Sequence, residues 1–317
     1  MTTTRQFDGG KLRHLLTLDG LPRATLERLL VRAQELTADA YGGTAQRAAL
    51  AGKAVCTLFF EPSTRTRSSF SLAAQRLGAD LLNFDASTAS TTKGEADLDT
   101  LKTLEAMGVH AFVVRHKRDG AVAELADAAQ PGTVLLNAGD GRSNHPTQGL
   151  LDMLTLRQAK GDDFSKLKVV IVGDVKHSRV ARSDLHALRA LGCGEIRVCG
   201  PAALLPDDGT LDGCVVTDDF DAALDGVDAA MMLRLQRERM VEGLVESLDD
   251  YHRDYGLTAE RLRRAAPEAI VMHPGPMNRG VEITDEVADG PQSRILQQVS
   301  NGVAVRMAVL EAVLGAS

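Results

Sequence analysis

The chain has 317 residues, enough for about two domains at roughly 150 residues each. Its 36 lysines and arginines are outnumbered by 43 aspartates and glutamates, so its formal net charge is −7, and aromatic residues make up only 3%. Because nucleic-acid-binding proteins usually combine a basic surface with stacking aromatic rings, nucleic acid is not an expected partner. The hydrophobic (44%) and charged (25%) fractions exclude disordered and collagen-like chains.

The cysteine content and the start of the sequence bear on the cellular compartment. The four cysteines match neither a CxxC motif nor a disulfide scaffold. The start of the chain lacks the apolar core and cleavage site of a signal peptide, and no apolar run reaches the ~18 residues of a membrane span. We therefore expect reduced thiols, a cytoplasmic location and no membrane partner.

Strands and helices are predicted to alternate in the first half of the chain. The apolar run 54–60 (AVCTLFF) is typical of a strand buried on both faces of a parallel sheet. A polar turn follows, and then apolar residues at helical spacing up to Gly78, which occupies a C-cap position. The same reasoning predicts further strands at 80–84, 111–115 and 134–137 and helices at 98–107 and 122–129. Such a βαβ series indicates a parallel sheet with crossover helices.

A second series of the same kind follows residue 163. It is predicted to contain a helix at 180–191 that ends at Gly192, and strands at 167–172, 196–199, 229–233 and 269–272. A helix at 150–158 connects the two series, and the apolar segment 303–314 is predicted to pack back on the first. The expected fold class is α/β, with two similar domains, each a mainly parallel sheet flanked by helices, and an active site in the cleft between them.

The segment 63–67 (STRTR) carries the strongest chemical signal. It lies between the carboxyl end of a predicted strand and the start of a helix, where free backbone N–H groups and the helix dipole attract anions. A turn rich in Ser and Thr is also typical of a simple N-cap, but two arginines in the same turn favour an anion site. The Walker pattern GxxxxGK[ST] does not occur, so the usual nucleotide-triphosphate cradle is not predicted.

These residues resemble a known family. The STRTR segment is similar to the carbamoyl phosphate signature of the aspartate and ornithine carbamoyltransferases. Further blocks resemble the aspartate branch in the same order, from about residue 59 to 307: STTKGE at 90–95, NAGDG at 137–141 with HPTQ at 145–148, RLQRER at 234–239, and HPGP at 273–276 with NRG at 278–280.

The resemblance implies that the amine of L-aspartate attacks the carbamoyl carbon of carbamoyl phosphate, giving N-carbamoyl-L-aspartate and phosphate for pyrimidine biosynthesis. No cofactor or metal is implied. Thr66, Arg115 and His145 would stabilise charge on the carbamoyl oxygen, and Arg65 would also bridge the leaving oxygen. The residues implied to bind carbamoyl phosphate are Ser63, Thr64, Arg65, Thr66, Arg115, His145 and Gln148, with Pro274 and Gly275 contributing backbone carbonyls.

The resemblance also implies a site for aspartate and an assembly. Arg179 would bind the α-carboxylate, and Arg234 with Gln236 would bind the side-chain carboxylate. Ser90 and Lys93 would reach into the site of an adjacent subunit, Lys93 touching both substrates, so the expected state is a homotrimer with shared active sites. Relatives also assemble with regulatory or dihydroorotase-like chains. The implied division is a carbamoyl phosphate-binding domain (1–149), an aspartate-binding domain (150–297) and a returning C-terminal helix (298–317).

Three alternatives compete with this interpretation. An ornithine carbamoyltransferase shares the phosphate turn but would carry Cys in the segment that here reads HPGP. A silent anion-binding scaffold subunit would keep the fold without turnover. A nucleotide-dependent dehydrogenase would need GxGxxG, and Gly173 is not followed by that spacing.

Four further charged or titratable side chains are interpreted as surface groups that take no part in the chemistry: His116, His177, Arg237 and Arg239.

Overall fold

A computed structural model describes residues 5–40, 48–85, 97–235 and 247–315. The chain forms two compact units. One comprises the described residues up to Leu154 together with those from Val299 onward, and the other is Thr155–Gln298. The boundaries expected from the sequence, 149/150 and 297/298, lie slightly before these positions. No helix in the described ranges is both long and apolar enough to cross a membrane.

The first unit is built around a parallel sheet. Its elements are, in chain order, β1 (Phe7–Asp8), β2 (Lys11–Leu12), α1 (Arg23–Glu35), α2 (Thr37–Ala40), β3 (Ala54–Phe59), α3 (Thr64–Arg76), β4 (Asp80–Asp85), α4 (Asp97–Ala106), β5 (Ala111–His116), α5 (Ala121–Ala128), β6 (Val134–Asp140) and α6 (Pro146–Lys160). The sheet has the order β4-β3-β5-β6, and every adjacent pair is parallel. The division between the units falls inside α6.

This strand order creates a switch point between β3 and β5. The chain leaves β3 toward β4 on one side and later returns to β5 on the other side. Phe59 and Arg115 are paired residues, so the two strands end at the same level. Crevices at such switch points, outside the carboxyl ends of the strands, are the usual ligand sites of open α/β sheets. The 63–67 turn and Arg115 therefore both lie at the carboxyl ends of adjacent strands, at the switch point of the sheet.

The core of this unit explains why the sequence prediction worked here. Cys56 and Leu58 of β3 and Phe112 and Val114 of β5 are fully buried and form one cluster with side chains of α4 and α5. Strands apolar on both faces read as continuous apolar runs, which is the pattern used to predict them. Helix α1 was not predicted, although its buried leucines at i, i+3 and i+4, such as Leu26, Leu29 and Leu30, form a helical stripe.

The second unit repeats the plan. Its further elements are β7 (Lys168–Val172), α7 (Arg179–Leu191), β8 (Glu195–Cys199), β9 (Val215–Thr217), α8 (Phe220–Leu224), β10 (Ala229–Met232), α9 (Leu248–Tyr255), α10 (Ala259–Leu262), β11 (Ile270–Met272), α11 (Asp285–Ala288) and α12 (Ile295–Leu314), whose residues from Val299 belong to the first unit. The sheet order is β11-β10-β7-β8-β9, again parallel throughout. The switch point lies between β7 and β10, where Val172 and Met232 are paired.

The two α/β units with parallel sheets flanked by helices confirm the predicted fold class. Gly192 adopts φ 76°, the left-handed conformation expected of the residue that ends α7. Strand β9 was not predicted, since it is three residues long and exposes Val215 and Val216 at the sheet edge. Helix α12 begins at Ile295, three residues before the predicted start at 298 and ahead of the apolar segment 303–314, because its first turns mix apolar with polar residues and expose Leu296 and Val299.

Burial of His14 predicts a pH-dependent stability. Its Nδ1 accepts a hydrogen bond from the Leu135 N–H at 2.9 Å, where residues 14–16 run beside β6. Burial, with a smaller contribution from the charge of Arg13, lowers the pKa of His14 to about 4. The unfolded chain therefore binds more protons than the folded protein between pH 6.5 and pH 4, and stability falls as the pH drops through that window.

His14→Asn should remove most of this dependence, because the Asn carbonyl oxygen can accept the same N–H but does not titrate. The free energy of unfolding in urea, measured at pH 7 and at pH 5, should differ by about 2 kcal/mol less in the variant than in the parent. An identical pH difference in both proteins would show that His14 does not cause it.

Candidate active site

Helix α3 begins directly after the turn that follows β3. Ser63 occupies the N-cap position with extended backbone (φ −160°, ψ 100°), but its hydroxyl makes no capping hydrogen bond, and the first turn of the helix contains no acidic side chain. A simple N-cap would use the Ser63 hydroxyl to bind the helix N–H groups. The Ser63 hydroxyl therefore does not act as the side-chain cap of α3.

The side chains of this turn differ in their environment. Thr66 is buried, whereas Thr64 and Arg65 are exposed at the start of the helix. Arg67 lies with its guanidinium 5.1 Å from the centre of the Phe59 ring, a cation–π contact. The second arginine of the motif thus packs on Phe59, the last residue of β3.

Arg115 is held rigidly at the end of β5. Its Nη1 donates to the Ala138 carbonyl at 3.1 Å, and its Nη2 donates to Glu61 Oε1 at 2.8 Å. The side chain is only 11% exposed, and the β5–β6 pairing shifts register at this residue, a feature that often redirects a side chain next to an active site. The Phe60 N–H also bonds to the Arg115 carbonyl at 2.9 Å, which ties the strand end to the turn.

Glu61 was not among the residues predicted from the sequence. It is the acceptor that orients the Arg115 guanidinium, and it lies 54 positions away in the chain. A carboxylate at the edge of an otherwise cationic turn was a signal that could have identified it. A carboxylate–guanidinium pair of this kind fixes the direction of the remaining N–H donors.

His145 and Gln148 lie where β6 leads into α6. His145 is 4% exposed and directly precedes Pro146, the first residue of the helix, and its carbonyl accepts the Gln148 N–H at 2.9 Å. Gln148 is also buried, and its Nε2 lies 3.1 and 3.2 Å from the two carboxylate oxygens of Asp152. Since β6 is the neighbour of β5 in the sheet, His145 and Gln148 follow the strand that pairs with the strand of Arg115.

The interpretation of two other histidines as surface groups was wrong. His116 is 7% exposed, and its Nε2 lies 3.1 Å from Asp97 while its Nδ1 accepts the Arg118 N–H at 2.9 Å. His177 has a side chain that is 11% exposed, and its Nδ1 lies 2.7 Å from Asp174. Each imidazole is therefore a largely buried group that lies close to a carboxylate, and neither its burial nor this contact is visible in the residue types of the loop alone.

In the second unit, arginines follow both strands of the switch point. Arg179 is the first residue of α7, whose N-cap is Ser178 with its hydroxyl accepting the Ala181 N–H at 3.1 Å. Arg234 is exposed just beyond β10, and the preceding Leu233 N–H bonds to the Val172 carbonyl at 2.9 Å. Guanidinium groups are suited to carboxylates, and the fold places these two arginines after adjacent strands of the sheet.

The HPGP loop is anchored by a buried contact between a histidine and a carboxylate. His273 Nε2 lies 3.1 Å from Glu282 Oε1, both side chains are fully buried, and His273 Nδ1 accepts the Gly275 N–H at 2.8 Å. Because Nδ1 is an acceptor, the proton of the neutral ring is on Nε2, facing the carboxylate. Glu282 also accepts the Asn278 N–H at 2.6 Å. Hydrogen bonds to His273 and Glu282 therefore hold both ends of the loop that carries Pro274 and Gly275.

Some predicted residues cannot be placed. Ser90, Lys93 and Gln236, together with Arg237 and Arg239, lie outside the described residues. Within the described ranges, no cluster of three or more His, Cys, Asp and Glu side chains could hold a metal. The described residues show a Ser- and Thr-containing helix start with a fixed Arg115 guanidinium in one unit, and Arg179 and Arg234 after adjacent strands in the other.

Fold and side chains together define an α/β protein with two parallel sheets, in which the predicted phosphate-binding and carboxylate-binding residues follow strands at the switch point of each sheet. Residues 13–158 match the aspartate/ornithine carbamoyltransferase carbamoyl-P binding domain, and residues 165–313 match the Asp/Orn binding domain of the same family. The chain belongs to the aspartate/ornithine carbamoyltransferase family, as the sequence motifs indicated.

Similar proteins favour one branch of this family. The chain is 76% identical to an aspartate carbamoyltransferase catalytic subunit of Xanthomonas campestris pv. campestris (strain B100), over 99% of this chain and 100% of that protein. It is 75% identical, with the same coverage, to an aspartate carbamoyltransferase catalytic subunit of Stenotrophomonas maltophilia (strain K279a).

Solved structures of both branches share the fold. The aspartate transcarbamoylase of Trypanosoma cruzi in complex with carbamoyl aspartate and phosphate has a TM-score of 0.85 at 31% identity, with 96% of each chain covered. The ornithine carbamoyltransferase from Pyrococcus furiosus has the same TM-score, 0.85, at 28% identity, with 95% of this chain and 97% of that chain covered. The fold alone therefore does not separate the branches, whereas sequence identity does.

Proposed function

We propose that this chain transfers the carbamoyl group of carbamoyl phosphate to the amine of L-aspartate, forming N-carbamoyl-L-aspartate and phosphate in pyrimidine biosynthesis. The observation that carries the proposal is the placement of the 63–67 turn at the end of β3, level with Arg115 of β5. The 75–76% identity to aspartate carbamoyltransferase catalytic subunits supports aspartate as the acceptor.

The first unit supplies the electrostatic part of the mechanism. Ser63, Thr64 and Arg65 bind the phosphate at the start of α3, where the helix dipole favours negative charge. Thr66, Arg115 and His145 donate to the carbamoyl oxygen as charge develops on it in the tetrahedral transition state. Glu61 holds the Arg115 guanidinium in place before substrate arrives, and donors oriented in advance need no reorganisation during the reaction.

The remaining roles follow from the chemistry of the substrates. Gln148 binds the carbamoyl NH2 group, and the carbonyls of Pro274 and Gly275 accept hydrogen bonds from the amine and the carbamoyl NH2. Arg179 binds the α-carboxylate of aspartate, and Arg234 with Gln236 binds the β-carboxylate. Once the C–N bond has formed and the C–O bond to phosphate has broken, the departing phosphate accepts the amine proton, because it is a base that already lies beside the nitrogen.

The proposed assembly is a homotrimer in the cytoplasm. Ser90 and Lys93 of one subunit complete the phosphate pocket of the next, and Lys93 also contacts aspartate, so an isolated subunit would be nearly inactive. Additional regulatory or dihydroorotase-like chains are proposed partners of the trimer. The four cysteines are unpaired, which is compatible with a reducing compartment.

An assay with both amino acids tests the proposed function. The purified protein should form N-carbamoyl-L-aspartate from carbamoyl phosphate and L-aspartate and should not form citrulline from L-ornithine. The discrimination is expected because the second unit offers Arg179 and Arg234 to two carboxylates and would repel a side-chain ammonium group. Activity with ornithine alone would reject the proposal.

The Thr66→Ala variant tests the alternative of a silent scaffold. Removing a buried donor to the carbamoyl oxygen should lower kcat about a hundredfold. Ser71→Ala is the matched control, since Ser71 lies later in α3 and its hydroxyl bonds to Asn83 Oδ1 at 3.1 Å. Equal turnover by the parent and a folded Thr66→Ala variant would mean that the predicted site is not the site of catalysis.

A further inference from the structure

We infer that Asp152 is a positioning residue that sets the orientation of the Gln148 amide, so that its carbonyl oxygen faces the carbamoyl NH2 group of the substrate. This inference deepens the proposed function and rests on the role of Gln148 in it. Asp152 lies one helical turn after Gln148 on α6, it is fully buried, and no sequence motif marked it.

The chemistry of the two side chains determines the orientation. A carbamoyl NH2 group only donates hydrogen bonds, so it must be met by the Oε1 of Gln148 and not by the Nε2. A Gln amide alone can rotate by 180° and present either atom. The carboxylate of Asp152 only accepts, and both its oxygens lie within 3.2 Å of Gln148 Nε2. Asp152 therefore holds the Nε2 and leaves Oε1 directed away from itself.

A buried cation supports the buried carboxylate. Arg306 of α12 is 3% exposed, and the negative charge of Asp152 acts on it favourably. Burial lowers the pKa of Arg306 to about 9, with the charge of Asp152 opposing this effect, so Arg306 is still a cation at neutral pH. A carboxylate in the interior is tolerated when a cation compensates its lost hydration.

Packing fixes the cation itself. The Arg306 guanidinium lies 5.0 Å from the centre of the Phe70 ring of α3, and its Nη1 donates to the Gly302 carbonyl at 2.9 Å. A Cβ atom on Gly302 would lie 2.5 Å from Nη1, so a larger residue at this position would displace the end of the Arg306 side chain. The charge that acts on the buried Asp152 carboxylate is therefore held in a fixed position within the same unit.

A pair of stable ligands tests the inference. Phosphonoacetamide and acetonylphosphonate mimic carbamoyl phosphate and differ only in an NH2 group against a CH3 group. Titration calorimetry should show that the parent protein binds phosphonoacetamide about tenfold more tightly, the contribution expected of one hydrogen bond to the NH2 group. In Asp152→Asn the preference should fall to near one, since the Asn amide can pair with Gln148 in either orientation, while acetonylphosphonate binding stays close to that of the parent.

Two further variants make the test specific. Glu105→Gln is the matched control: Glu105 is a buried acid of the same unit that accepts the Gln130 N–H at 2.9 Å, and the variant should keep the tenfold preference. In a Gln148→Met background, where the preference is already lost, Asp152→Asn should cause no additional change in it. Thermal unfolding of each variant shows separately whether stability is affected.

One result would overturn the inference: an unchanged preference in folded Asp152→Asn, including the case in which both ligands bind equally more weakly, which is what a purely structural residue would cause. Asp152→Ser, with a smaller neutral side chain, takes the place of Asp152→Asn if that variant does not fold. The titrations contain no amino-acid substrate, so they remain decisive if the acceptor is not aspartate; failure of the proposed function would appear instead as lack of carbamoylation by the parent.

Discussion

Replacing Arg115 by Met is expected to lower kcat/KM for carbamoyl phosphate about a thousandfold. The guanidinium is 11% exposed and is fixed between Glu61 and the Ala138 carbonyl, so its charge acts in a medium that screens it weakly. A preorganised donor to a developing oxyanion contributes about 3 to 4 kcal/mol to lowering the barrier. Steady-state kinetics with saturating aspartate measures the effect.

Arg118→Met is the matched control for this experiment. Arg118 lies shortly after Arg115 in the chain, but its side chain is 51% exposed and pairs with Glu124 at 2.6 Å. Its removal should change kcat/KM by no more than about twofold, because exposed ion pairs contribute little. Since Glu61 is 30% exposed, water can solvate it when Arg115 is absent, and the Arg115→Met variant should fold. If a folded Arg115→Met variant has kinetics close to those of Arg118→Met, Arg115 takes no part in the mechanism.

Arg234→Ala should raise the KM for aspartate about a hundredfold and leave the affinity for carbamoyl phosphate unchanged. Arg234 follows β10 at the switch point of the second sheet, and its proposed partner is a carboxylate of the substrate. Without Arg234, this carboxylate would lose a bidentate, charge-assisted hydrogen bond. Arg234→Lys should recover only a small part of the loss, because an ammonium group cannot pair with both carboxylate oxygens in one plane. Initial rates at varied aspartate separate KM from kcat.

Arg264→Ala serves as the control in the same unit. Arg264 is 55% exposed and lies 3.2 Å from Asp221, remote in sequence from the predicted aspartate-binding residues. Its KM for aspartate should match that of the parent. If Arg234→Ala behaves like Arg264→Ala, the β-carboxylate is bound elsewhere and the assignment of the second anion site is wrong.

Much of the fold could be predicted because buried parallel strands have a local signature. The strands β3 and β5 are apolar on both faces, and the predicted and observed bounds differ by about one residue. Helix α1 and strand β9 were missed for different reasons: α1 has a clear helical stripe that was not used, whereas β9 is short and half exposed, so no local pattern distinguishes it from a loop.

The candidate site was predictable only where residues act through their own chemistry. Thr66, Arg115 and His145 were named from motifs, and the structure shows that all of them are buried. The residues that orient side chains of this kind were not predicted. Glu61 and Asp152 have no motif of their own, and their importance follows from contacts with Arg115 and Gln148 in the folded unit.

The sequence by itself determined the α/β class, the anion turn at a strand end and the family, since each depends on residues close together in the chain. Only the tertiary structure decided the strand orders, and hence that β3 and β5, and β7 and β10, meet at the switch points. It also decided which buried charges pair, such as Arg115 with Glu61. The physical reason is that strand order and charge pairing depend on packing energy between distant segments, which no local pattern of residues records.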